Sequence, residues 1–254
     1  MKKNYGAAWL DRSWETAWEY RWAMAAAFCA SLVVYGPELF SFSLSMDEEL
    51  AVMHGPKAVF LEHGRWGVVV LKKTFLPEQF TPFFTTLTAL IMMCLAALVM
   101  SASLRLAAEE RTLFCVLFAL FPQFAYQLSF SQQSDCVAFG LLCSATAFYA
   151  FTRFMAGQRL FLVLSLAAYV FATGIYQALF FLPPVLYMAD TLRRLLAAAR
   201  PIPPAPEEER LFPAGEECRR LFFFLVTALA ALALYVALTR FFSALWGVPV
   251  FGYL

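Results

Sequence analysis

Apolar residues run along this chain in long, almost charge-free stretches separated by short polar segments, the pattern of helices that cross a bilayer. The stretches extend from Thr81 to Leu104, Thr112 to Phe130, Cys136 to Thr152, Leu160 to Met188 and Leu221 to Trp246. Ahead of them Trp14, Trp18 and Trp22 recur every four residues. That spacing puts the three indoles on one helical face and predicts an interfacial helix over 8–21, with its rings at headgroup depth. A first crossing then starts at Trp22, reaches about Gly36 and is extended by Leu39 to Leu44, with Pro37 and Glu38 near its far end.

The stretch from Leu160 to Met188 is too long for one crossing. As a single helix its 29 residues would span about 44 Å at 1.5 Å per residue, against a hydrocarbon core of about 30 Å. Thr173-Gly174 and Pro183-Pro184 interrupt it, and the distribution of basic residues decides how to divide it. With a turn near Gly174, one side of the bilayer collects Lys2, Lys3, Arg12, Arg21, Arg105, Arg111, Arg153, Arg159, Arg193, Arg194, Arg200, Arg210, Arg219 and Arg220. The other side holds Lys57, Arg65, Lys72 and Lys73, and Arg240 lies within the last crossing. Basic residues concentrate on the cytoplasmic side, so the expectation is an all-α polytopic membrane protein of about seven transmembrane helices, N-terminus cytoplasmic and C-terminus outside. Residues 1–254 then form a single membrane domain with a structured outer loop over 42–80. A cytoplasmic linker over 190–220 carries Pro201-Ile202-Pro203-Pro204-Ala205-Pro206 and Glu207-Glu208-Glu209, a semi-extended composition.

Composition narrows the class further. Hydrophobic residues make up 62 % of the chain and charged residues 15 %, with 28 Phe, more apolar surface than a water-soluble domain can cover. The net charge of +1 offers no basic face for nucleic acid. Cys29, Cys94, Cys115, Cys136, Cys143 and Cys218 fall mostly in apolar runs without paired spacing, and so read as packing residues rather than metal or redox ligands. Asp11, Glu15 and Glu19 make the first 21 residues unlike a signal-peptide n-region, so the first crossing is expected to be retained as an anchor.

Candidate chemistry gathers in the outer loop. Asp47, Glu48 and Glu49 follow the first crossing directly, and His54, Glu62, His63, Arg65, Trp66, Lys72 and Lys73 come after them. On the residues alone this is a solvated acidic patch or a site. His54 and Glu62-His63 match no standard metal spacing, and Trp66 has the ordinary role of an interfacial anchor open to it. Val68 to Leu71 reads as an apolar segment dipping into the interface, with Pro77 and Pro82 leading into the second crossing.

The succession of a first crossing, Asp47-Glu48-Glu49, Gly64-Arg65-Trp66, then Pro77 and Pro82, resembles the GtrII-type glucosyltransferases of bacterial O-antigen modification. Tyr126-Gln127, the turn from Ser131 to Asp135 and Gly174-Ile175-Tyr176-Gln177 are similar as well. Members of that family usually run considerably longer, so the resemblance implies a chain truncated at its C-terminus or a reduced member. It also implies a GT-C-like fold in the bacterial inner membrane, part of the cell envelope. The activity implied is transfer of a hexose, typically glucose, from a polyprenyl-phosphate donor to a periplasmic glycan acceptor such as the O-antigen of lipopolysaccharide. A sugar hydroxyl needs a base as it attacks the anomeric carbon, and Asp47 is the first candidate, Glu48 the second. The departing lipid phosphate gains from cations. Arg65 would clamp it, Lys72 and Lys73 would act as point charges, and Arg240 is a further candidate unless it snorkels outward. Trp66, Asp135, Tyr176 and Gln177 are candidates for an acceptor groove. No cofactor is implied, and divalent-metal dependence stays open.

Two other classes compete with this reading. A transporter, or a component that flips lipid-linked glycans, would be expected to carry ionisable residues at mid-depth and inverted repeats, whereas the crossings here are nearly free of charge. A non-catalytic membrane scaffold is compatible with loops of mixed sign.

Overall fold

The computed structural model describes residues 5–40, 56–78, 81–130, 132–199 and 214–250, and these are helical throughout apart from turns. In chain order the helices are α1 (Tyr5–Phe40), α2 (Pro56–Glu62), α3 (Trp66–Thr74), α4 (Pro82–Ser103), α5 (Ala108–Ala119), α6 (Gln123–Leu128), α7 (Ser134–Met155), α8 (Leu160–Ile175), α9 (Leu182–Ala199) and α10 (Ala214–Trp246). A 3-10 turn, Gln177–Phe181, joins α8 to α9. Among the described residues, four stretches are long and apolar enough to cross a membrane: Tyr20–Phe40, Pro82–Ser103, Ser134–Met155 and Gly215–Trp246. Their exposed faces carry large apolar side chains such as Val33, Leu225, Leu229 and Phe241, which water would not tolerate in such a band and lipid would.

Pairwise contacts fix the direction of each helix. The rings of Phe40 and Phe83 lie 6.0 Å apart and Ser31 Oγ lies 3.7 Å from Cys94 Sγ, so α1 and α4 run antiparallel. Helix α5 returns beside α1, with the Arg111 guanidinium over the Tyr20 ring at its start and the Tyr35 hydroxyl donating to the Phe121 carbonyl beyond its end. Helices α7 and α8 are antiparallel: Ser165 donates to the Ala147 carbonyl at 2.8 Å, and Gly140 faces Ile175. At Tyr176 the backbone becomes extended (φ −152°, ψ 119°) and the chain turns back. The Tyr169 ring stacks on Phe180, and its hydroxyl donates to the Phe180 carbonyl at 2.8 Å. Helix α9 then descends alongside α7, its Tyr187 near Phe151, and α10 rises past it. One end of the bundle, here the upper end, carries Arg65, Lys72 and Asp135, and the lower end carries Arg111, Arg153, Arg194 and Arg220.

Three expectations change. The interfacial helix expected over 8–21 is not a separate element, because α1 runs unbroken from Tyr5 to Phe40 with Pro37 inside its last turn. No proline or glycine lies between Ala7 and Tyr35 to stop it. The stretch expected as one crossing from Thr112 to Phe130 is α5 and α6, separated at Phe121-Pro122. Within the linker expected over 190–220, α9 extends to Ala199 and α10 begins at Ala214, and residues 200–213 lie outside the described residues.

Charged residues extend those two helices because they neutralise one another. Arg220 Nη2 donates to Asp190 Oδ2 at 3.0 Å with both side chains almost wholly buried. Arg194 bridges Asp190 and Glu217, 3.0 Å from each, and Arg193 bonds the other oxygen of Asp190. Above this network the Tyr187 and Phe224 rings stack at 4.7 Å. An ion buried here without its partners would cost several kcal/mol, on the order of 3–5, so the network ties α9 to α10 across residues 200–213.

Candidate functional site at the upper end

The site begins with a glycine. Helix α2 ends at Glu62, and Gly64 takes a left-handed conformation (φ 71°) while Gly64 N bonds the Leu61 carbonyl and Arg65 N the Phe60 carbonyl. A helix terminus closed in this way needs φ > 0 and favours glycine. The turn places Arg65 at the corner, as the residue before α3. Helix α3 holds three consecutive valines, poor helix formers, and burial of Trp66, Val68, Val69 and Leu71 supplies what propensity does not. Lys72 and Lys73 close it, where cations suit the negative end of the helix dipole.

This corner docks residue by residue onto the α8–α9 turn. Gln177 Nε2 donates to the His63 carbonyl and, at 3.0 Å, to the Tyr235 hydroxyl. The Tyr235 hydroxyl in turn reaches the Gly64 carbonyl at 3.3 Å. The Arg65 guanidinium lies 4.7 Å from the centre of the Tyr176 ring, a cation–π distance. The Trp66 ring lies on Gly174, where an added Cβ would meet it at 2.5 Å. Gly67 faces the backbone of Gly174 and Ile175, and a Cβ there would come within 2.8 Å of both. The Gly64-Arg65-Trp66 and Gly174-Ile175-Tyr176-Gln177 segments, more than a hundred residues apart, thus form one unit with Tyr235 of α10 behind it.

The other wall is the start of α7. Arg65 Nη1 donates to Gln133 Oε1 at 3.2 Å, and Lys72 Nζ lies 2.7 Å from Asp135 Oδ2. Asp135 is fully buried, while Lys72 keeps 15 % of its side chain exposed. Its second carboxylate oxygen accepts from the Cys136 amide at 2.7 Å. Burial pushes the Arg65 guanidinium below its ordinary value, opposed by the field of Tyr176 and Tyr235. The charge is held at a desolvation cost, which an arriving anion would offset.

The candidates from sequence separate clearly. Arg65 and Lys72 converge on Gln133 and Asp135. Lys73 points elsewhere, its ammonium 5.2 Å from the centre of the Trp246 ring. Arg240 is exposed on α10 and five residues beyond Tyr235, about 140° around the helix at 100° per residue, so it stands apart from this corner. Of the acceptor-groove candidates, Trp66 is buried against Phe171 and Phe242, and Asp135 is fully buried in its ion pair with Lys72. Gln177 is occupied as a clamp and Tyr176 as the surface under Arg65. Asp47, Glu48, Glu49 and His54 lie outside the described residues. Gln133 and Tyr235 were missed. Gln133 sits inside the turn singled out from sequence but carries no charge to mark it, and Tyr235 is hidden in the last apolar run, where its hydroxyl was the available signal.

Long apolar helices with a buried, cation-bearing polar corner at one end define an α-helical membrane protein. The family described as "Glucosyl transferase GtrII" matches residues 36–253, which include every residue of that corner, and the chain belongs to this family. Membership places it among the glycosyltransferases. No curated protein and no solved structure gives a match.

Proposed function

We propose that this chain transfers glucose from a polyprenyl-phosphate carrier to a glycan acceptor, such as O-antigen, at the outer face of the bacterial inner membrane. The observation that carries the reading is the pair of cations, Arg65 and Lys72, both anchored on the start of α7, through Gln133 and Asp135, at one end of an apolar bundle. A lipid phosphate enters from the bilayer with its charge at headgroup depth, and two fixed cations there suit both its binding and its departure as a leaving group. The basic residues of the lower end, Arg111, Arg153, Arg194 and Arg220 among them, argue for a cytoplasmic lower end by the positive-inside rule. The alternating helix directions then accommodate seven crossings with a cytoplasmic N-terminus and a GT-C-like layout. Asp47, at the outer end of the first crossing, is the proposed base that takes the proton of the acceptor hydroxyl, with Glu48 second. Lys73 and Arg240 are secondary cations near the headgroups.

The test is transfer of radiolabelled glucose from polyprenyl-phosphate glucose to a lipopolysaccharide acceptor by purified native protein and by Asp47→Asn. Transfer by the native protein with loss of about 10²-fold or more in the variant, the scale of a missing general base, supports both substrate and base. Equal transfer by both removes Asp47 from the mechanism.

A further inference from the structure

We infer that Asp135 and Gln133 are positioning residues: from the first residues of α7 they hold the Lys72 and Arg65 head groups together as a two-cation cradle for the phosphate of a lipid-phosphate ligand. The inference rests on the proposed lipid-phosphate reading of this end. Arg65 and Lys72 are seven residues apart, at opposite ends of α3, about 10 Å along the helix axis. Left to themselves, two long flexible side chains so placed would sample separate regions of the surface. Their partners are only two residues apart in sequence, Gln133 Oε1 for Arg65 and Asp135 Oδ2 for Lys72, so both charged ends are anchored on the same short stretch of chain.

The burial gradient gives the pair a direction. Asp135 is covered completely while Lys72 is 15 % exposed, so the carboxylate lies behind the ammonium. An ammonium has three donors, and the bond to Asp135 takes one of them. Arg65 is organised likewise: Nη1 is held by Gln133, one face of the guanidinium by Tyr176, and Nε is buried without a partner. Asp135 also offsets part of the charge the two cations bring, so that they are tolerated together before the ligand arrives. An ion pair made for stability alone would need neither a second cation anchored two residues away nor a lysine that keeps part of its side chain open.

Binding of farnesyl phosphate, with farnesol as the uncharged control, can be measured by calorimetry on the detergent-solubilised protein. The variants are Asp135→Asn, Lys72→Met and their combination, with Gln133→Ala and Arg65→Met as a parallel set. Asp135→Asn is expected to weaken farnesyl phosphate about tenfold or more, the scale on which a displaced binding group is felt, and to add nothing once Lys72 is Met. Undiminished affinity in Asp135→Asn, or independent losses that multiply in the combination, would overturn the positioning role and leave the phosphate reading standing. Native protein that binds farnesol as well as farnesyl phosphate would instead overturn the phosphate reading and the cradle with it. A purely structural Asp135 would lower the folded fraction without changing the affinity of what remains folded. Should Asp135→Asn fail to fold, the Gln133 and Arg65 set decides by the same criteria.

Discussion

Replacing Gly67 by Ala tests whether the corner and the α8–α9 turn form one rigid unit. The added methyl would lie 2.7 Å from the Gly174 carbonyl carbon and 2.8 Å from Ile175 N, both backbone atoms that no rotamer change can move. Gly174→Ala meets the Trp66 ring at 2.5 Å instead, a side chain held by Phe242 at 5.0 Å. Each substitution gains up to about 1 kcal/mol of helix propensity and suffers overpacking of about 3 kcal/mol, the upper end of the usual range. The net loss is about 2 kcal/mol, or about 4–8 °C in Tm for a chain of this length. Thermal unfolding of the detergent-solubilised protein, followed by tryptophan fluorescence, reads the loss. The two variants should part company when Trp66 is replaced by Leu: Gly174→Ala then becomes nearly neutral, while Gly67→Ala keeps its full cost. An unchanged Tm for Gly67→Ala, or equal rescue of both by Trp66→Leu, would refute the packing argument.

At the lower end, Asp190→Leu leaves Arg220 with Glu217 as its remaining partner and is expected to destabilise by about 3–5 kcal/mol, the scale for breaking a buried ion pair. Adding Arg220→Met should recover most of that loss in the same unfolding measurement. In a cysteine-depleted background, a cysteine in place of Pro204 should resist a membrane-impermeant maleimide added from the periplasmic side and react after permeabilisation. Labelling from outside would reverse the proposed topology.

How much could be read from the sequence differs between the two ends of the bundle. The long apolar runs gave the helices because a bilayer demands sustained apolar length, and 82–103 and 134–155 fall within three residues of the expected bounds. The break near Gly174 was legible for the same reason, as a run too long for one crossing. Its purpose was not, since only the fold brings Gly174 against Trp66. The lower end misled because Asp190, Arg194, Glu217 and Arg220 resemble solvated linker charges in one dimension and become a buried network in three. Arg65 and Lys72 were legible as cations of one polar segment between apolar runs. Asp135 was read as an acceptor-groove candidate, and its buried pairing depends on a lysine 63 residues earlier.

Donor choice tests the central claim most directly. Purified protein in proteoliposomes is offered glucose on polyprenyl phosphate or on a nucleotide diphosphate, with the same glycan acceptor, and label in the glycan is followed for each. The two-cation corner at the bundle end predicts transfer from the lipid phosphate and essentially none from the nucleotide sugar, with Arg65→Ala raising KM for the lipid donor. Transfer from the nucleotide sugar at an equal or greater rate, or an Arg65→Ala protein with unchanged KM, would contradict it.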